Sequence, residues 1–133
     1  MIFVPDATAA VAALVDDGPV GRWAAELLST GPLVAPHLLP AEVANVLRRR
    51  ALAGAISDER ASEAHAALEH LDVRLVPYEH VAERAWTLRG AVTAYDAWYV
   101  AVAEDLDVPL VTLDRRLARA PGPRCAFELP PPA

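Results

Sequence analysis

Two stretches decide how this chain is read: Thr93-Ala94-Tyr95-Asp96-Ala97-Trp98-Tyr99-Val100-Ala101-Val102-Ala103-Glu104, and Val108-Pro109-Leu110-Val111-Thr112-Leu113-Asp114-Arg115-Arg116. The first opens on a threonine suited to cap a helix and continues in alanine and apolar residues to about Leu106. The second is a short apolar run, bounded by Asp114, that suits a strand buried on both faces. A helix that feeds a strand of a parallel sheet runs antiparallel to it. Asp96, at the helix start, and Asp114, at the strand end, therefore fall at the same edge of the sheet.

Working outward, the remaining segments repeat the alternation. Ile2 to Val4 reads as the first strand, and Thr8 to Val15 as an Ala-rich helix stopped by Asp16-Asp17-Gly18-Pro19. Val20 to Leu28 is a second helix and Leu33 to Ala35 a short strand. Pro40 sits at the tolerated start of a helix over Ala41 to Ala53, with Gly54 as its stop. Asp58 to His70 is helical, Val73 to Val76 a strand, and residues 78–89 helical. After the helix from Thr93 and the strand Val108 to Leu113, Asp114 to Arg119 is a last helix and Cys125 to Glu128 a last strand. The expected fold class is α/β, three layers with a mostly parallel central sheet, in one domain over residues 1–128 and a Pro-rich tail over 129–133.

Composition narrows the function. The chain has 133 residues and is 54% hydrophobic, enough for a real core. Its apolar runs are too short to span a bilayer and Met1 leads into a strand without a basic leader, so the expected location is cytoplasmic with no membrane contact. The single cysteine, Cys125, requires no oxidising compartment. All 12 basic residues are arginine, which closes mechanisms that need a lysine. A net charge of −6 argues against a protein that holds nucleic acid by being basic overall; any such role is local.

Asp6, Glu42, Asp96 and Asp114 each have an ordinary explanation. Asp6 and Asp114 are placed to cap helices, Glu42 lies in a first turn where the helix dipole favours an acid, and Asp96 stands at capping-box spacing from Thr93. Taken together they share the carboxyl edge of the sheet, where open α/β sheets bind ligands. Two like charges 4 Å apart at an effective dielectric near 20 repel by about 4 kcal/mol, and a helix N-terminus offsets about 0.3–1 kcal/mol. The balance calls for protonation or for a cation, and Mg²⁺ or Mn²⁺ suits oxygen-only ligands. His37, His65, His70 and His80 lack zinc-site spacing. Thr112 lies two residues before Asp114 and shares its side of the strand, where its hydroxyl orients a carboxylate or simply suits a strand.

At this point the chain resembles the PIN-domain nucleases, and among them the VapC toxins of type II toxin–antitoxin pairs. The resemblance rests on Val4-Pro5-Asp6-Ala7-Thr8, on the segment from Val34 to Arg49 that contains Glu42, and on the two stretches quoted above. It implies that Asp6, Glu42, Asp96 and Asp114 hold Mg²⁺ or Mn²⁺ while water attacks an RNA phosphodiester, with Thr112 as a secondary contributor. It also implies a homodimer neutralised by a VapB-type antitoxin. The alternative is a catalytically silent PIN-like module that binds metal or protein. A phosphatase of the haloacid-dehalogenase type would need a second Asp that Asp6-Ala7-Thr8 lacks.

Further side chains carry expectations. Arg115 and Arg116 follow Asp114 and are candidates for steering a substrate phosphate. Asn45 and Arg49 share a helix face with Glu42, so Arg49 is expected to hold Glu42 in a salt bridge. Trp23, Trp86 and Trp98 are too scattered for a base-stacking row and are expected in packing or a protein interface. Pro5 removes a ladder donor, which predicts a shortened first strand or a tilted Asp6.

Overall fold

The structure, a computed structural model, describes residues 1–132. Five strands, β1 (Val4–Pro5), β2 (Leu33–Pro36), β3 (Val73–Val76), β4 (Leu110–Val111) and β5 (Phe127–Glu128), form the sheet. Seven helices connect them: α1 (Ala7–Val15), α2 (Pro19–Leu28), α3 (Leu39–Leu52), α4 (Asp58–Glu69), α5 (Tyr78–Thr87), α6 (Ala94–Leu106) and α7 (Arg115–Arg119). Every strand pairing among the described residues is parallel. The order across the sheet is β3-β2-β1-β4-β5, with β1 against β4 in the middle and a single bridge, Phe3 to Leu33, between β1 and β2.

Prolines explain that narrow junction. Phe3 N–H donates to the Pro32 carbonyl and Val34 N–H to the Phe3 carbonyl. The next two bonds of this parallel ladder would need N–H groups at positions 5 and 36, and both residues are proline. On the β4 side nothing is lost: Val4 N–H reaches the Pro109 carbonyl and Asp6 N–H the Val111 carbonyl, each at 3.0 Å. Pro5 thus thins the sheet toward β2 and leaves Asp6 anchored to β4.

Alternation along the strands builds two cores. Phe3, Leu33 and Val111 meet Ala9 and Leu28, with Trp23 and Leu27 packed against them. Their neighbours Val4, Val34 and Leu110 meet Leu39 and Val43 of α3, Val81 and Ala85 of α5 and Val100 of α6. A period of two on strands buried on both sides gives the helix–sheet–helix layering expected from the sequence. The α1–α2 corner depends on Gly21, where a Cβ would stand 1.7 Å from the Asp16 carbonyl oxygen. Gly54, at φ +75°, follows the last turn of α3 in the left-handed region that glycine adopts without strain.

Most elements lie within one or two residues of their expected bounds; the last two strands are shorter. Leu110 N–H and Thr112 N–H donate to the Ala126 and Glu128 carbonyls, and β4 ends there because Leu113 N–H turns to a side chain, the Thr8 hydroxyl. At the C-terminus Pro130 is buried and its carbonyl accepts a 2.7 Å hydrogen bond from Arg115 Nη2, which ties residue 130 to the body of the fold. Among the described residues no helix is long and apolar enough to cross a membrane.

Candidate active site

In a sheet of order 3-2-1-4-5, crossovers from β1 and from β4 leave in opposite directions, and the crevice between those strands opens at their carboxyl ends. Asp6 and Asp114 border that crevice. Asp6 caps α1 through the Ala9 N–H, 3.0 Å from Oδ1, and Asp114 caps α7 through the N–H groups of Arg116 and Leu117. The capping role and the site role therefore coincide, because the dipole end that wants an acid is also the end that faces the crevice.

Asp6 is only 6% exposed and Thr112 is fully buried. Thr8 donates its hydroxyl to Asp6 Oδ1 at 2.6 Å, and Thr112 donates its hydroxyl to Asp6 Oδ2 in a short hydrogen bond. Each threonine also accepts a backbone N–H from the stretch after β4: Leu113 to Thr8 and Asp114 to Thr112, both at 3.0 Å. Two hydroxyls thus lock the carboxylate of β1 to the backbone beyond β4. Thr112 was singled out in the sequence. Thr8 was not, because a threonine in a first turn carries no signal of its long-range partner.

Glu42 enters from the first turn of α3 and accepts a 2.7 Å hydrogen bond on Oε1 from the Tyr99 hydroxyl of α6. The expected Arg49–Glu42 salt bridge does not form among the described residues; Arg49 lines the same hollow, and the tyrosine holds the carboxylate instead. A guanidinium on an exposed face stays in water, whereas a buried phenol needs an acceptor. Asp96 follows Thr93, whose hydroxyl accepts the Asp96 N–H at 3.1 Å.

The acids sense one another. Burial raises the Asp6 carboxyl above the usual range against hydrogen bonds from Thr112, Thr8 and Ala9, and the charge of Asp96 adds to the rise. Burial raises Glu42, with Tyr99 opposing and Asp96 reinforcing. Burial also raises Asp96, which feels Asp114. Tyr99, enclosed and facing Glu42, Asp6 and Asp96, is pushed far above the ordinary phenol range and stays a hydrogen-bond donor at any working pH. Asp96 is the member that couples to the other three.

Two hollows flank the cluster and share Asp114. One, of about 590 Å³, is lined by Thr8, Glu42, Asn45, Arg49 and Arg50. The other, of about 620 Å³, is lined by Arg89, Thr93, Asp96 and Arg116. Arg116 thus stands beside the acids, while Arg115 reaches the other way to the Pro130 carbonyl. The donors are oxygens throughout, with no imidazole or thiolate on either hollow. Among the described residues no group of three or more acidic, histidine or cysteine side chains stands close enough together to hold a metal ion. The chemistry of such a set fits a hard divalent cation held by one or two carboxylates with water completing its shell.

Comparison with known proteins gives the family. A profile described as the PIN domain matches residues 3–123. Ribonuclease VapC1 of Mycobacterium tuberculosis is 46% identical over 127 residues, which cover 95% of this chain and 96% of that protein. The crystal structure of PAE2754 from Pyrobaculum aerophilum superposes with a TM-score of 0.68 at 29% identity, covering 96% of this chain and 83% of that one. VapBC-5 from M. tuberculosis, of the VapBC toxin–antitoxin family, shares the fold at a TM-score of 0.58 and 22% identity, over 96% of both chains. The crossed-over parallel sheet, the acids at its carboxyl edge and a match over nearly the whole length place this chain in the PIN-domain family, in its VapC branch.

Proposed function

We propose that the protein is the ribonuclease toxin of a VapBC-type pair, hydrolysing RNA phosphodiesters with water at a divalent-cation site formed by Asp6, Glu42, Asp96 and Asp114. The observation that carries this reading is that two hollows sharing Asp114 hold Glu42 on one side and Asp96 on the other, while Asp6 is held by Thr8, which lines the first. Mg²⁺ or Mn²⁺ is the cofactor we assign. When bound, such a cation offsets the repulsion among the carboxylates, lowers the pKa of water and stabilises charge that builds on the phosphate.

The chain's own residues set the geometry for that step. Thr8 and Thr112 hold both oxygens of Asp6, and Tyr99 holds one oxygen of Glu42, so these carboxylates are fixed before substrate arrives. Asp96 and Asp114 line the adjoining hollow together with Arg116, to which we assign the neighbouring phosphate. Likeness to Ribonuclease VapC1 supports RNA as substrate, and the fold shared with VapBC-5 supports a VapB-type antitoxin as partner; a homodimer is the assembly we assign.

The test is cleavage of RNA by the purified chain with Mg²⁺ or Mn²⁺, set against EDTA and against Asp96→Asn. Loss of at least about a hundredfold in rate with either is expected for a group that organises the reacting charge. Cleavage that survives both controls would remove the mechanism.

A further inference from the structure

Of the three Trp, three Tyr and two Phe residues, only Trp86 and Tyr95 are largely exposed, at 63% and 61%. Both border a single connection. Trp86 lies in the last turn of α5 and Tyr95 in the first turn of α6, one residue before Asp96. The connection between them carries Arg89, whose guanidinium carbon sits 4.6 Å from the centroid of the Trp86 ring and whose Nη1 donates to the Trp86 carbonyl at 2.9 Å. Arg89 also lines the hollow that holds Thr93, Asp96, Asp114 and Arg116. Of the two expectations for Trp86, core packing or a protein interface, the first is corrected: it stands in solvent, stacked by the guanidinium of an arginine that also lines the hollow beside Asp96.

A flat aromatic face joined to a guanidinium is what unpaired nucleobases stack upon, and such stacking is tolerant of base identity. Charge also selects the occupant. Arg89 and Arg116 are the cations on this hollow, while the chain as a whole is acidic. A polyanion entering here meets guanidinium groups at the rim and reaches the carboxylates only where it is to be cut. We propose that Trp86 and Arg89 form a stacking platform for the unpaired base of a nucleotide adjoining the phosphodiester held at the acids, so that the protein selects single-stranded over base-paired RNA at this step. The proposal rests on the ribonuclease reading above.

The experiment uses the full chain with Asp96→Asn, which blocks turnover, and a short unstructured RNA oligonucleotide of mixed sequence, with the same sequence as a duplex for comparison. Tryptophan fluorescence is followed as RNA is added, with and without Trp86→Phe. Single-stranded RNA should quench the emission that Trp86→Phe removes, and the duplex should not. Trp86→Ala should weaken binding on the order of tenfold, the range of one lost base stack, and Trp86→Phe should restore most of it. In the active chain Trp86→Ala should raise KM by a similar factor and leave kcat within about twofold. Absence of quenching that depends on Trp86 overturns the platform, whether or not the wild-type chain cleaves RNA. Unchanged RNA affinity in Trp86→Ala, together with a shift in sedimentation from dimer to monomer, overturns it in favour of a chain–chain interface. Quenching without any cleavage by the wild-type chain keeps the platform and removes the ribonuclease reading instead.

Discussion

Tyr99 sits in the middle of the acidic cluster yet carries no charge, and its hydroxyl is what fixes Glu42 in place. Replacement by phenylalanine keeps the ring in the core and removes only the donor. A hydrogen bond to a charged group is worth about 1.5–3 kcal/mol. Glu42 is only half-buried and water replaces part of that bond, so Tyr99→Phe should lower stability by about 1 kcal/mol. Turnover of RNA should fall further, about tenfold in kcat with KM little changed, because a freely rotating carboxylate is misplaced in most of its rotamers. Steady-state cleavage beside a thermal melt separates the two effects, and an unchanged kcat would show that Glu42 does not depend on the phenol. The helix starts that carry the acids were legible in the sequence, since Asp6, Glu42 and Asp114 stand where a helix follows a strand and Asp96 begins the helix that runs back to β4. Tyr99 was not. Its partner lies 57 residues away, and an aromatic residue inside an apolar helix reads as core until coordinates show what its hydroxyl meets.

At the level of elements, helices were read more accurately than strands because capping residues and glycines mark helix ends locally, whereas the length of a strand depends on its neighbour. Pro5 and Pro36 illustrate the point. Each could be read as a lost donor, but only the register shows that both losses fall on the same β1–β2 seam. The opposite side of the fold is held by polar contacts that no local pattern announces. Arg84 of α5 pairs with Glu104 of α6 through Nε at 2.7 Å and Nη2 at 3.1 Å, and Nη2 also reaches the Gly122 carbonyl. Glu104 in addition accepts the Arg124 N–H at 2.7 Å. Arg84→Met would leave that partly buried carboxylate without its cation, so urea denaturation should show a loss of about 2 kcal/mol. The double change Arg84→Met with Glu104→Met should cost less than the sum of the single changes, since the unpaired charge is then gone. Strict additivity would mean that the pair holds nothing together.

For the whole molecule, stability against pH has two opposing parts. Burial alone would raise the Glu104 carboxyl, but the hydrogen bonds from Arg84 and Arg124 bring it below its ordinary value. Its contribution is therefore present above the unfolded carboxylate pKa and lost as pH falls through the depressed folded value. Asp6, Glu42 and Asp96 behave in the opposite sense. Their folded values are raised, first by burial and then by one another, so the stability they contribute is full below the unfolded pKa and is lost as pH rises through the raised values. Ionising the cluster at neutral pH is thus a cost that the fold carries for the sake of the site. Without divalent cation, Tm should decline as pH rises above the ordinary carboxylate range toward neutral and beyond, as the raised carboxyls lose their protons. Millimolar Mg²⁺ or Mn²⁺ should recover that loss near neutral pH and do little in acid, where protons already occupy the carboxylates. Asp96→Asn removes the member that couples to the other three, so it should melt higher than the wild-type chain at neutral pH without cation, and respond less to added Mg²⁺. Thermal melts across that range decide the matter. A wild-type Tm that rises toward neutral pH without cation, or an Asp96→Asn chain as responsive to Mg²⁺ as the wild type, would show that the four acids do not act as one site.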